Sequence, residues 1–260
     1  MAKRKSEQYT TSGVSFGSSH LIGYGSAEQV PRKKNKRAWI WILALVVICA
    51  VFVGWVLLTH RTYAFDLASV PPYSGSPYVE LNGNKPLFTD AEKASTVSFE
   101  RYSSLDVLGR CGVAFANLAE DLMPTEDRED ISSVRPSGWV NAKYPFIDKE
   151  YLYNRCHLIA FALAGENANE RNLITGTRYL NVEGMLPFEV RVARYLELTG
   201  NHVLYRATPV FEGTNRVASG VELEGWSVED GGENICFHVY CYNVQPGVVI
   251  DYRTGESRAE

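Results

Sequence analysis

The stretch 151–183 decides how this chain is read: Tyr151-Leu-Tyr-Asn-Arg-Cys-His-Leu-Ile-Ala160, then Glu166-Asn-Ala-Asn-Glu-Arg-Asn-Leu-Ile-Thr175, then Arg178-Tyr-Leu-Asn-Val-Glu183. Asn154, Arg155 and His157 adjoin one another, and Asn167, Asn169, Asn172 and Asn181 follow within a short span. Histidine is scarce, five in 260 residues, so its place beside an arginine and ahead of several amides is informative. The set suits phosphodiester hydrolysis. An imidazole takes a proton from water near neutral pH, a guanidinium binds phosphate oxygens, and an amide oxygen holds a hard divalent cation that keeps most of its waters. By spacing alone the pattern is equally that of a structural histidine among loop-capping asparagines.

Outward from this stretch, the C-terminal half alternates apolar and polar residues over 202–211, 218–228, 235–244 and 248–252, as half-buried strands do. Glu212-Gly-Thr-Asn215, Glu229-Asp-Gly-Gly232 and Gln245-Pro-Gly247 are the turns between them. Residues 177–198 have helical periodicity interrupted by Pro187, and 150–160 read as a strand entering a loop. Further upstream, 105–123 mix strand and helix, and Thr89 opens a short helical turn. The expectation is an α+β domain over 86–260 with an antiparallel sheet in its C-terminal half.

The N-terminal third is of another kind. Residues 1–37 are rich in Ser, Gly, Gln, Lys and Arg without apolar periodicity, which reads as a disordered tail. It ends in the cluster Arg32, Lys33, Lys34, Lys36 and Arg37. Residues 38–58, AWIWILALVVICAVFVGWVLL, carry no charge and are long enough for the roughly 20 residues a membrane-spanning helix needs. Trp39, Trp41 and Trp55 lie toward the ends, where interfacial tryptophans belong, and the basic cluster places the N-terminus in the cytoplasm and all that follows outside. A cleaved signal peptide, with Thr62 and Ala64 near the cut, is the rival reading. Residues 59–85, with Val70-Pro-Pro-Tyr-Ser-Gly-Ser-Pro77, are expected as an extracellular linker.

The formal net charge is -4 and the pI near 5.8, which excludes a uniformly basic nucleic-acid binder. Any polyanion site is therefore a local basic cleft or relies on a bound cation. Cys49 sits inside the apolar run, and Cys111, Cys156, Cys236 and Cys241 follow no zinc-ligand spacing. Outside the cell, one or two disulfides and free buried thiols are both open readings.

The segment N-R-C-H-L-I, followed by N-E-R-N-L-I-T-G-T-R-Y-L-N, resembles the DNA/RNA non-specific endonucleases of the ββα-metal type, which have a D-R-G-H core followed by an asparagine pair and a glutamate. It is most similar to the membrane-bound DNA-uptake nucleases of Gram-positive bacteria. The resemblance runs over about 78–257, including V-R-P-S-G-W at 134–139 and I-D-Y-R-T-G-E near the end. It implies a ββα-metal nuclease core with a central antiparallel sheet. Residue by residue, it makes His157 the general base and Asn181 the metal-binding asparagine on the helix of the ββα unit. Asn172 becomes the asparagine that supports the site, Glu189 the acid that holds water at the metal, and Arg155 the arginine of the core motif. Arg135 and Arg178 become phosphate contacts. Asn154 and Cys156 stand where the motif has Asp and Gly, which puts the orientation of His157 in question. Pro187, between Asn181 and Glu189, does the same for Glu189.

The implied activity is magnesium-dependent cleavage of DNA and RNA at the outer cell surface, in DNA uptake or scavenging, with manganese as a substitute and little readout of bases. The competing readings are a catalytically silent surface module that binds nucleic acid, a secreted nuclease toxin released by cleavage, and a structural cell-wall protein.

Overall fold

The computed structural model describes residues 40–49 and 67–260. The chain divides into two units, Met1–Tyr63 and Ala64–Glu260. Of the first, residues 40–49 form a helix, α1, with exposed apolar side chains such as Ile40, Leu43 and Val46. Among the described residues no helix is long and apolar enough to cross a membrane. The expected tail over 1–37, and the expected span over 38–58 apart from α1, lie outside them.

In the second unit the order is β1 (Tyr78–Glu80), α2 (Asp90–Lys93), β2 (Phe99–Tyr102), β3 (Ala114–Leu118), β4 (Tyr153–His157), α3 (Phe161–Ala164), β5 (Leu173–Thr177), α4 (Leu186–Thr199), β6 (Val203–Val210), β7 (Gly220–Ser227), β8 (Cys236–Tyr242), β9 (Val248–Ile250) and β10 (Ser257–Ala259). Six strands form one antiparallel sheet in the order β1-β8-β7-β6-β3-β2, while β4 with β5 and β9 with β10 form separate two-stranded ribbons. This is the expected α+β architecture with a central antiparallel sheet.

Alternation decides which face each strand residue covers. On β7 and β8, Val221, Leu223, Phe237, Val239 and Cys241 enter the main core, together with Leu196 and Val192 of α4. Phe188 on α4 meets Phe237 at 4.9 Å and Tyr78 at 5.0 Å. The intervening residues Glu222, Glu224 and His238 face the other way and are also buried. The chain before α2 covers that face: Leu87 N donates to Glu224 at 2.6 Å, and the Lys85 carbonyl lies 3.1 Å from His238 Nδ1.

The stretch expected as a linker is therefore in part a structural layer. β1 pairs with β8 from Tyr78↔Cys241 to Glu80↔Val239. Leu67, Val70 and Tyr73 pack on Tyr240 and Tyr242, and Tyr242 Oη donates to the Pro71 carbonyl. Proline-rich sequence reads as a linker because it forms few internal hydrogen bonds, but here aromatic side chains give it a surface to pack on.

β4 and β5 pair in register from Tyr153↔Thr177 to His157↔Leu173. Asn243 locks this hairpin to the large sheet: its Oδ1 accepts from Thr177 N (2.8 Å), and its Nδ2 donates to the carbonyls of Thr175 (3.1 Å) and Ala218 (2.8 Å). Thr177 Oγ1 then accepts from Leu180 N (2.9 Å), at the start of a π-helical turn over Leu180–Met185 that runs directly into α4. Pro187 falls in the first turn of α4, directly behind the π-helical turn, so the helical register changes at the residue whose N–H is missing. The expected interruption is thus the starting point of a regular helix. Hairpin plus helix gives the β4-β5-α4 unit.

The five cysteines are all unpaired. Cys111 donates to the carbonyls of Glu170 and Leu173 at 3.2 Å, and Cys156 lies 3.6 Å from Met185 Sδ, so both are buried core thiols.

Candidate active site

His157, Asn181 and Glu189, far apart in sequence, line one cavity of about 250 Å³. His157 ends β4, Asn181 lies in the π-helical turn, and Glu189 lies one turn into α4. In a regular α-helix eight residues turn the side chain by roughly 800°, about 80° past its starting direction. A π-turn absorbs one extra residue, so the interval acts more like seven residues, about two full turns. The π-turn therefore keeps Asn181 and Glu189 on one side. Ala160, Phe161, Leu186, Val190 and Ala193 supply an apolar wall, and Arg128 the cation.

The His157 side chain is largely buried (6% exposed). Its Nε2 lies 3.0 Å from the Asn167 carbonyl oxygen. A carbonyl only accepts, so Nε2 carries the proton in that bond, and Nδ1 is the nitrogen left to take another. Burial holds the imidazole below its ordinary value near 6.5, with the Arg128 charge adding to the effect and the hydrogen bond to Asn167 opposing it. The ring is therefore neutral at physiological pH. Asn167 also acts through its side chain. Its Oδ1 accepts from Glu129 N at 2.9 Å, tying the loop that carries Arg128 to the loop that orients His157.

Burial pushes the Glu189 carboxyl up to about 8, and Arg128 pulls it down. The Asn181 carboxamide has no hydrogen-bond partner among the described residues, although the same residue's backbone carbonyl accepts from Leu186 N. The cavity thus offers a free amide oxygen and a carboxyl that burial alone would keep protonated. Oxygen donors of this kind fit a hard divalent cation, whose charge would return Glu189 to its ionised form.

Other expected site residues are elsewhere. Asn172 is fully buried and clamps the chain just after His157, with Oδ1 accepting from Ile159 N and Nδ2 donating to Ile159 O, both at 2.9 Å. Asn172 therefore fixes the backbone beside His157 and does not line the cavity. Arg155 donates from Nε to Val134 O (2.6 Å) and from its terminal nitrogen to Ser132 O (2.7 Å), with its guanidinium 4.3 Å from the Trp139 ring. It therefore braces the 132–139 loop and does not line the cavity. Arg178 is turned to Asp148 (2.6 Å), and Arg135 borders a separate hollow. Asn154 is three positions from His157 and so on the opposite face of the strand. Its Nδ2 is buried without a partner. The His157 ring is oriented by the Asn167 carbonyl, so the missing carboxylate at 154 does not disturb it.

Arg128 is the residue that sequence reading missed. It stands in Glu126-Asp-Arg-Glu-Asp130, a run that reads as a solvated loop, and no periodicity or motif marks it. Asn167 was visible as one of several amides, but its backbone carbonyl is what bears on the site.

A second His/Glu/Arg cluster lies on the other face of the sheet. Ligand atoms of Glu222, Glu224 and His238 lie within 4.8 Å of one another. Each already has a partner: His238 Nε2 is 2.6 Å from Glu222, and Arg206 is 2.5 Å from Glu224.

A family model described as DNA/RNA non-specific endonuclease matches residues 91–228, more than half of the chain. Among solved structures, the chain is similar to NucA from Streptococcus agalactiae with magnesium ion bound, at 26% identity and a TM-score of 0.62 over 70% of this chain and 86% of that one. The same protein with no metal bound gives 25% identity and a TM-score of 0.64 over 75% and 92%. Sda1 nuclease with bound zinc ion shares the fold, at 24% identity and a TM-score of 0.60 over 71% and 97%.

Proposed function

The chain belongs to the DNA/RNA non-specific endonuclease family, and from that premise we propose that it is a magnesium-dependent endonuclease that cleaves DNA and RNA without sequence preference at the outer cell surface. One observation carries the reading: a neutral His157 with Nδ1 free, an unpartnered Asn181 carboxamide and the Glu189 carboxyl converge on one cavity. The metal preference is supported by the oxygen donors of this cavity and by the magnesium in the NucA structure.

Asn181 would hold the ion, with Glu189 beside it. Bound there, magnesium supplies positive charge against the phosphate and the leaving oxygen. His157 Nδ1 accepts the proton of the attacking water. The Nε2–H bond to the Asn167 carbonyl holds the ring in place and becomes stronger as the ring turns cationic. Arg128 faces the same cavity and binds a phosphate oxygen. The apolar wall of Phe161, Leu186 and Val190 excludes bulk water and strengthens each of these interactions.

Plasmid digestion by the full chain in mild detergent tests this. We expect cleavage with magnesium and none in EDTA. Full activity in chelator would remove the metal, and no cleavage with any divalent ion would remove the nuclease reading. Placement outside the cell rests on the uncharged run 38–58 behind its basic cluster. Protease added to intact cells should digest the domain and spare the N-terminal tail; a protected domain would reverse the orientation.

A further inference from the structure

Two motifs of the sequence take no part in the cavity: V-R-P-S-G-W at 134–139 and I-D-Y-R-T-G-E at 250–256. The fold brings them together. A Cβ on Gly255 would meet Gly138 O at 1.9 Å, and both glycines have positive φ, 90° and 69°, so the two backbones touch where only glycine fits. The 213–217 loop joins them. Ser137 Oγ donates to Arg216 O (2.6 Å), and the backbone N–H groups of Arg216 and Val217 both donate to Tyr252 O (2.9 Å). Thr175 Oγ1 of β5 donates to Ser137 O (2.8 Å), fixing the assembly to the hairpin that carries His157.

Two hollows of about 550 and 470 Å³ open on this frame and share Leu108, Arg216 and Thr254. Arg135, Arg216 and Arg253 border them, all exposed. Among the described residues the side chains of Arg216 and Arg253 make no hydrogen bond or ion pair. The acid nearest Arg253 in sequence, Asp251, turns back to accept the Arg253 backbone N–H (2.9 Å). Trp139 closes one end, beneath Arg155. Arg155 and His157 are two residues apart on β4 and so share a face, and the Arg155 guanidinium lies over Trp139, which puts the groove on the same side of the hairpin as His157. Arg155 also feels the repulsion of the Arg135 cation. Cations gathered on a rigid frame, in a chain of net charge -4, complement a polyanion.

We propose that this groove is an extended backbone-binding site, in which Arg135, Arg216 and Arg253 hold phosphates of a nucleic-acid strand whose scissile bond lies at His157. The inference deepens the nuclease reading and rests on it for the position of the scissile bond. It also explains how an acidic protein grips a polyanion without base readout, since phosphate contacts carry no sequence information.

Fluorescence anisotropy of a labelled single-stranded oligonucleotide, with the full chain in detergent and EDTA, tests the groove without catalysis. The double variant Arg216→Gln/Arg253→Gln should bind on the order of tenfold more weakly, and the slope of log affinity against log salt should fall by about 0.7 for each lost phosphate contact. Arg216→Lys/Arg253→Lys should keep the slope, because charge sets it. Lys93→Gln/Arg101→Gln, an equal charge change outside the groove, should leave affinity within about twofold. The proposal is overturned if the folded glutamine variant, with an unchanged melting temperature, keeps wild-type affinity and slope, or if the control pair loses as much. Wild-type protein that binds through these arginines yet cuts nothing would instead sink the nuclease reading and leave the groove standing.

Discussion

The protein gathers the same three side-chain types, His, Glu and Arg, in two places. On one face of the sheet, His238, Glu222, Glu224 and Arg206 are packed together with both ring nitrogens and the carboxylates engaged. At the β4-β5-α4 unit, His157, Glu189 and Arg128 surround a cavity, with one ring nitrogen tied to a carbonyl and the other free, and the Asn181 amide without a partner. The first cluster has spent its hydrogen-bonding capacity on holding strands to the segment that covers them. The second keeps capacity in reserve, and that reserve is what lets it act on a substrate. Residue types alone do not separate the two; unused donors and acceptors beside open space do.

The largest effect should come from His157→Ala. Loss of a general base typically costs about 10²–10⁴ in rate, whereas thermal stability and nucleic-acid binding should hold. Because burial lowers the His157 pKa, the acid limb of the pH–rate profile should lie below about 6.5, with activity rising as the ring loses its proton. A wild-type plasmid-cutting rate in the well-folded variant would end the contrast between the clusters. Added imidazole should restore part of the rate in His157→Gly, and no rescue is expected if the residue only packs.

His238→Ala should show the reverse. Removing one partner of a buried pair costs about 3–5 kcal/mol, read as a fall in the urea or thermal midpoint, and turnover per folded molecule should stay near wild type. Unchanged stability would mean the His238–Glu222 contact is not structural.

Glu189→Gln sharpens the comparison through pH. In the metal-free protein the Glu189 carboxyl, pushed up to about 8 in the folded chain, titrates near its ordinary value of 4.5 when unfolded. A raised folded value contributes stability that is fully present below the unfolded value and is lost as pH rises through the folded one. Melting temperature in EDTA should therefore decline between about pH 5 and pH 8. The glutamine variant should show a flatter decline, and magnesium should offset the loss only in the wild type. Equal pH slopes in both proteins would place the Glu189 carboxyl in water.

The smallest effect belongs to Arg178→Ala. Its pair with Asp148 is short, but the Asp148 side chain is 72% exposed. Such pairs contribute about 0–1 kcal/mol, and Arg178 does not line the cavity. A large loss of cleavage would return Arg178 to the phosphate contacts that its motif position implied.

Local sequence was enough to mark His157 and Asn181 as candidates, through the motif's resemblance to the family, and to mark the helix after them through its period, because both are short-range signals. The eight-residue interval put Glu189 beside Asn181, and the two line one cavity, although Pro187 argued against it. A proline inside a helical stretch is expected to break it, and only the structure shows that a π-turn over Leu180–Met185 passes directly into α4 at Pro187, so the helix continues through it. Arg155, Arg135 and Arg178 shared the motif's neighbourhood without sharing its cavity, since each guanidinium turns toward a nearby acceptor: the Ser132 carbonyl for Arg155 and Arg135, and the Asp148 carboxylate for Arg178.

The sequence by itself determined the class of the fold, the family and the residues that end β4 and begin the long helix. Those follow from periodicity and from a motif read over a few dozen neighbouring positions. Only the tertiary structure decided that Arg128 joins the cavity, that the Asn167 carbonyl sets the His157 tautomer, that 67–85 complete the domain, and that Gly138 meets Gly255 to frame an arginine-lined groove. Each of these depends on contacts between segments far apart in the chain. The energy of such a contact comes from burial and hydrogen bonding in space, which no local pattern of residues records.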